Sequence, residues 1–471
     1  MHFGLRSIAL AAAALLTLSS CSAETEKAEL PYNDQVGLQM FMWNWDSIAA
    51  ECEFLGEQGV SWVLTPPPQE HIFGDQWWTI YQPVSYKLES RFGTREQFQN
   101  MVSTCAEHNV DIVVDAIINH MANSAGVGFA GTEFSKYDYP GLYSEEDFHA
   151  CDITENRQIS NYSDREEVQD CELLGLPDLD QGSPKVQATL LAYLNDLLSL
   201  GVKGFRFDAA KHMDATELEQ LVAQLPEGTR IIHEVIRGNE PIQPEEYLGS
   251  GDVWEFSYAK ALKGYFGIEQ IAPEGPEIRY IAHAPTQNAV SFVSNHDTER
   301  NNDTLNYRNI LDFELATVLM LAEDYGQPML YSSYAFEDYD AGPAQKEGMV
   351  QNAKCETTDR GWTIPKQSYA ANEWICQHRF ESTAQMIKFR HAVSGTAMEN
   401  IYQDVSIYGF NRGDKGYFLL NAAAAPAKVE IAVAVPDGEY TDLLSGTLYT
   451  ISGGKLKAEF TGKGAIALVR N

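Results

Sequence analysis

Positive charge is in short supply in this sequence: 33 Lys and Arg stand against 67 Asp and Glu, a formal net charge of −34 over 471 residues. That balance argues against a nucleic acid partner, whose phosphates need a cationic counter-surface. It favours solubility and would suit a salty habitat, but says little about fold or about a neutral ligand. Long apolar runs are also missing. The one candidate, Ile8 to Leu18, has the length of a signal h-region and is too short to span a bilayer. Cysteine is sparse, 7 in all and odd in number, and no internal repeat is visible.

The apolar run follows Arg6 and reads as an export signal, 1–20, trailed by a polar tether, 21–30. It ends in Leu18-Ser19-Ser20-Cys21, which looks like a bacterial lipobox. That likeness implies cleavage before Cys21 and lipidation of its thiol, with Ser22 permitting sorting to the outer membrane. The alternative is cleavage near Ala23 and a free, secreted or periplasmic protein. Setting Cys21 aside leaves an even set, Cys52, Cys105, Cys151, Cys171, Cys355 and Cys376, as expected of an exported chain. Six cysteines allow about 15 connectivities by sequence alone.

A chain of this length suits a barrel domain plus one or two smaller ones. Apolar strands at Gly37–Trp43, Val60–Leu64, Ile112–Ala116, Gly204–Phe207, Ile231–Val235, Val253–Phe256, Ala289–Val293 and Pro328–Tyr331 alternate with helical stretches such as Ile48–Glu57. That alternation predicts a (β/α)8 TIM barrel over 31–118 and 179–393. The polar stretch 119–178, rich in Asp, Tyr and Gly, is too long for a connecting loop and reads as an inserted subdomain after strand 3. From 394 to 471 short alternating runs broken by Gly413-Asp414 and Gly453-Gly454 predict a C-terminal antiparallel β-sandwich domain. Phe336 to Trp374 has no clear periodicity.

Three of the barrel strands end in a carboxylate: Asp208, Glu234 and Asp297. Each alone could be a helix cap. Three at strand ends of a barrel suggest one shared site, because chemistry sits at that face. Arg206 points to the same place and can hold Asp208 anionic, or can be a purely structural ion pair. Trp77-Trp78 followed by Tyr81-Gln82 offers flat apolar faces beside polar groups, although two core tryptophans would read the same.

With these motifs, and with Asp115-Ala116-Ile117-Ile118-Asn119-His120 and Asn295-His296-Asp297, the chain resembles the α-amylase family, glycoside hydrolase family thirteen, in its animal-type branch and that branch's bacterial relatives. The match runs from about Gly37 to Arg390. The resemblance implies a retaining, endo-acting hydrolase of starch-like α-glucan, with Asp208 as nucleophile, Glu234 as acid/base and Asp297 as transition-state stabiliser. Crowding by Asp208 and Asp297 is expected to raise the pKa of Glu234. Trp77, Trp78, Tyr81, Gln82, His120, Arg206, Lys211, His212 and His296 resemble substrate-binding residues. Calcium is implied as a structural ion on Asn119, Asp178 and the carbonyls of Gln169 and His212. The disulfides are implied as Cys52–Cys105, Cys151–Cys171 and Cys355–Cys376.

The departure is at chloride. Animal-type relatives use an Arg like Arg206, an Asn like Asn295 and a third, basic residue where Met329 stands here, so activity is expected not to require chloride. A monomer is expected, meeting a membrane only through an N-terminal lipid. An α-glucosidase or transglycosylase of the same family, or a non-catalytic starch-binding surface lipoprotein, remain the alternatives. Retention of all three carboxylates argues against the last.

Overall fold

The structure, a computed structural model, describes Met1, residues 30–270 and 284–470. The export signal, Cys21 and the tether up to Glu29 lie outside the described residues. Eight parallel strands close into a barrel: β1 (Gly37–Met40), β2 (Trp62–Thr65), β3 (Asp111–Ala116), β4 (Gly204–Phe207), β5 (Arg230–His233), β6 (Asp252–Trp254), β7 (Ala289–Phe292) and β8 (Gln327–Tyr334). Closure is the pairing of β1 with β8, Gly37 opposite Met329. Every residue of β1, β2, β4 and β7 is buried, as expected of parallel strands covered on both faces. Trp62, Val113, Trp254, Phe292 and Met329 form one apolar layer, so the barrel is filled rather than hollow.

Four strands, β1, β5, β6 and β7, stop earlier than the apolar runs predict. The first ends at Met40 because Met42 takes φ 62° and the Trp43 amide turns back to the Met40 carbonyl. The sixth ends at Trp254 because Glu255 caps the next helix, accepting from the Ser257 amide. The helix Trp45–Gln58 starts on the Asn44 side chain, which accepts from the Ser47 amide, and stops at Gly59, whose φ of 87° suits glycine. The helix Arg95–Glu107 opens with a Thr94–Gln97 capping box. Cys52–Cys105 ties these two helices together at a Cα separation of 4.9 Å. Cys151–Cys171 and Cys355–Cys376 form as well. Three disulfides fit an exported protein.

After β3 the chain leaves the barrel for a short strand pair, Gly126–Val127 with Glu133–Phe134, and a helix, Arg165–Asp170. Its Phe134, Tyr139 and Phe148 join the main hydrophobic core, so this segment shares a core with the barrel. Beyond residue 397 lie two four-stranded antiparallel sheets. One holds β9 (Met398–Asp404), β10 (Ile407–Arg412), β11 (Gly416–Asn421) and β16 (Gly464–Val469). The other holds β12 (Ala427–Ala432), β15 (Lys455–Phe460), β14 (Leu448–Ser452) and β13 (Gly438–Thr441). Leu419 and Ile466 of the first meet Ile431 and Leu456 of the second in a shared core.

At the amino-terminal end of the barrel a strap, Tyr32–Gln35, crosses the strand starts. Gln327 donates to the Tyr32 carbonyl at 2.8 Å, Arg230 donates to the Gln35 side chain at 2.6 Å, and the Tyr32 hydroxyl donates to Asp252. Two buried arginines sit where barrel and β-sheets meet, and Arg412, from β10, is the one that reaches across. Arg390 donates to the carbonyls of Leu321, Glu323 and Asn33, and Arg412 to those of Ala322 at 2.6 Å and Thr396 at 3.0 Å. Burial, with Arg412 beside it, lowers the pKa of Arg390 to about 9, so its charge persists at neutral pH. Arg412→Met leaves those carbonyls without their charged donor and should lower stability by about 3 kcal/mol in urea unfolding. An unchanged midpoint would show that this junction is dispensable.

Candidate active site

The backbone delivers the three carboxylates to one end of the barrel. Asp208 directly follows β4, Glu234 directly follows β5, and Asp297 sits in the first turn of a helix, His296–Arg300, just beyond β7. Beneath them lies Arg206, fully buried on β4. Its Nη1 donates to Asp208 at 2.7 Å and to Asp115, on β3, at 2.6 Å. Its Nη2 stands 2.8 Å from Glu234. That contact is an ion pair rather than a hydrogen bond, since Nη2 is not aimed at an acceptor. The guanidinium also lies 4.8 Å from the centre of the Trp254 ring.

Burial, the largest cause, raises the pKa of Glu234 to about 8; Asp208 and Asp297 add to it and Arg206 opposes it. The carboxylate crowding expected from the sequence acts in the predicted direction, and desolvation adds a larger effect to it. Asp297 is also raised, again chiefly by burial. Asp115 reaches about 7 for the same reason. Ala209, between Asp208 and the next turn, takes φ 51°, unusual for a residue with a side chain, and its amide donates to Glu234 at 2.9 Å.

A relay of side chains braces this centre from β1. Gln39 lies 3.0 Å from His296 Nδ1, His296 Nε2 lies 3.0 Å from the Tyr81 hydroxyl, and that hydroxyl donates to Asp115 at 2.9 Å. This sequence of contacts is met by a neutral His296 with its proton on Nε2. Burial, first, and the nearby Arg206 hold the His296 pKa well below the ordinary value. Phe41 and Tyr81 stack on the ring at 4.8 and 5.3 Å.

Above the carboxylates opens a cavity of about 520 Å³. Asp208, Glu234, Asp297, Trp77, Trp78, Tyr81, Gln82, His120, Lys211, His212 and His296 all line it. Arg206 does not. It is enclosed behind the carboxylates and acts through them, a correction to its reading as a substrate contact. Trp77 is nearly buried and Trp78 half-buried; both are held from the aperiodic stretch after β8, where Trp77 Nε1 donates to the Tyr339 carbonyl at 3.0 Å and Trp78 Nε1 to Asp340 at 3.2 Å. The sequence reading missed the opposite wall, made by Tyr162, Leu173, Leu174, Leu176, Ile236 and Glu240. Exposed Leu174 with φ 55°, on a polar segment, had no periodic signal to mark it.

Asn119 Oδ1 and Asp178 Oδ1 are buried oxygens with no hydrogen-bond donor. The Val168 carbonyl receives His212 Nδ1 at 2.9 Å and the Met213 carbonyl receives the Gln169 side chain at 3.2 Å, bringing Gln169 and His212 onto adjoining backbone. Orphaned hard oxygens are what a calcium ion would satisfy, so the set fits. Another cluster, Glu51, Cys355 and His378, has metal-ligand spacing, but Cys355 is bound in a disulfide. Arg206 Nε and Asn295 Nδ2 lack acceptors, which fits two parts of an anion site. The third part is Met329, a thioether in the apolar barrel layer, and it does not fit.

Residues 79–248 match the family model described as the alpha amylase catalytic domain. The chain is 41% identical over 475 residues to an alpha-amylase of Streptomyces violaceus, covering 98% of this chain and 79% of that one. It is 36% identical over 469 residues to an alpha-amylase-related protein of Drosophila kikkawai, covering 92% and 91%. Among solved structures, alpha-amylase I of Eisenia fetida superposes with a TM-score of 0.85 at 28% identity, covering 94% of this chain and 98% of that one. A variant of the same enzyme, solved with maltohexaose, gives 0.84.

The raised pKa of Glu234 has a sign that stability measurements can read. Its neutral form is favoured by the fold, so its contribution is full below the ordinary value of 4.5 and is lost as pH rises through about 8. Glu234→Gln cannot ionise. The stability difference between variant and wild type should be flat below pH 4.5, shift in favour of the variant up to about pH 8, and level off. Parallel stability curves across that window would refute the assignment.

Proposed function

The chain belongs to the α-amylase family, and from that premise we propose that it is a retaining, endo-acting α-amylase. It would cut internal α-1,4-glucosidic bonds of starch, glycogen and maltooligosaccharides. The observation that carries this reading is one buried guanidinium, Arg206, in contact with both Asp208 and Glu234, beneath a cavity that also receives Asp297. Two carboxyls gripping one guanidinium stand side by side, in keeping with the separation of roughly 5–5.5 Å that double displacement uses.

In this mechanism the ionised Asp208, paired with Arg206, attacks the anomeric carbon. Glu234, kept neutral by burial, donates its proton to the departing glycosidic oxygen. The resulting glycosyl–Asp208 ester is then hydrolysed by a water that Glu234, now ionised, deprotonates. Asp297 stabilises the oxocarbenium-like charge in both steps. Trp77 and Trp78 supply stacking faces, and Gln82, His120, Lys211 and His212 supply polar contacts around the rings. Calcium, held by the side chains of Asn119 and Asp178 and the carbonyls of Gln169 and His212, would join the inserted segment to the barrel. No step requires chloride.

Proton NMR of fresh products from soluble starch tests the reaction. The expected result is α-anomeric oligosaccharides of mixed length, with the rate falling by about three or more orders of magnitude in Asp208→Asn. Glucose as sole product would instead indicate an α-glucosidase, and β-anomeric products would exclude retention. A second experiment strips the protein of ions. Chelation should lower the melting temperature and added calcium restore it, whereas added chloride should change the rate by less than about two-fold, because Met329 stands in place of a basic third ligand. A several-fold activation by chloride would overturn the role given to Met329.

A further inference from the structure

Outside the cavity, two phenylalanines share a surface. Phe73 is 58% exposed, and its ring centre lies 5.2 Å from that of half-exposed Phe129. Rings left in water at a loop tip cost free energy unless something covers them, and a chain with a net charge of −34 is poorly suited to covering them with a second copy of itself.

The loops that carry the pair are held firmly. Glu70, completely buried, accepts from the amides of Ala130 at 2.8 Å and Thr132 at 3.1 Å and from the hydroxyls of Thr132 and Ser85 at 2.6 and 2.5 Å. The Phe129 amide donates to the His71 carbonyl at 3.0 Å. A side chain at Gly128 would collide with Glu70, its Cβ lying 2.5 Å from the carboxylate. In the loop that carries Phe73, buried Arg91 donates to the carbonyls of Gly74 at 2.6 Å and Gln76 at 3.2 Å. That turn starts at Phe73 and ends in Trp77-Trp78, so both aromatic pairs belong to one braced unit.

Asp75 and Gln76 join them in sequence. Together with Asp338, Asp340 and Asn372 they line a polar depression of about 560 Å³. Asp340 is also the acceptor of Trp78 Nε1. Along the chain, then, Asp75 and Gln76 stand between Phe73 and Trp77-Trp78, and the depression they line is tied to Trp78 through Asp340. A glucan chain offers the same alternation, hydroxyl edges beside the apolar faces of its rings.

We propose that Phe73 and Phe129, with this depression, form a second α-glucan contact that holds a stretch of polymer remote from the bond being cut. The proposal rests on the α-amylase reading above. It predicts that removing the contact weakens action on long substrates and leaves short ones unaffected, a differential that a change confined to the catalytic cavity would not give.

The test compares wild type with Phe73→Ala/Phe129→Ala, and with Phe73→Ser as a milder variant at the more exposed position. KM and kcat are measured on soluble starch and on maltotriose, with retardation in native gels containing glycogen and the oligomeric state by sedimentation. The double variant should raise KM for starch about five- to ten-fold, the scale of one aromatic contact, and weaken retardation, with maltotriose kinetics unchanged. Phe73→Ser should move both in the same direction by less, while Phe73→Trp, which keeps a flat ring, should preserve both. Unchanged starch KM and retardation in the folded variants would overturn the proposal. Equal losses on both substrates would also overturn it, placing the effect in the cavity. So would a wild-type dimer that the variants dissolve. Wild type that cuts neither substrate would remove the α-amylase reading itself, and is told apart from these results by the wild-type rates alone.

Discussion

The guanidinium of Arg206 sits where no water reaches it, and a charge in that position must be answered by charges of the opposite sign. Asp115, Asp208 and Glu234 answer it, and the Trp254 ring adds its face. Much else follows from that enclosure. It fixes where the carboxylates of three adjacent strands stand, since each must reach the same cation. One cation cannot hold every neighbouring carboxyl ionised in a dry site, so the pKa of Asp115, Glu234 and Asp297 all rise. A carboxyl with a raised pKa, Glu234, and one in direct ion pair with the guanidinium, Asp208, thus share one cation.

The loops turn that centre into a cleft. His296 is wedged between Phe41 and Tyr81, so the residue before Asp297 is fixed by packing from the start of the barrel. Trp77 and Trp78 are fixed from its end, by the segment after β8. The inserted segment supplies four of the six residues named for the facing wall, the loop after β5 the other two, and the segment shares its core with the barrel. Rigid strands therefore set the reacting groups, and loops from distant parts of the chain set the shape around them.

How much of this was legible follows from the range of each signal. The strands were readable to within a few residues because each is short, apolar and followed by polar turn residues. Asp208, Glu234 and Asp297 were readable because strand ends in a barrel converge. Asp115 stood within a quoted motif, yet its part in holding Arg206 and Tyr81 depends on a neighbouring strand, which the linear sequence does not display. Leu174 and Tyr162 sit on an aperiodic polar segment whose fold is decided by tertiary contacts and the Cys151–Cys171 bridge. The weight of burial on Glu234 was hidden too, because desolvation depends on everything packed around a group. Phe336 to Trp374 showed no pattern because its task is to hold other loops.

The strap at Tyr32–Gln35 fixes a direction. It is bonded to Arg230, Asp252 and Gln327, residues at the starts of their strands, whereas the three carboxylates stand at or just beyond strand ends. The described chain therefore begins, at Leu30, on the pole opposite the cleft, beside Tyr32, Arg230 and Asp252. One pole of the barrel is thereby closed by the strap, and the pole that carries the three carboxylates is left clear of the chain's described beginning.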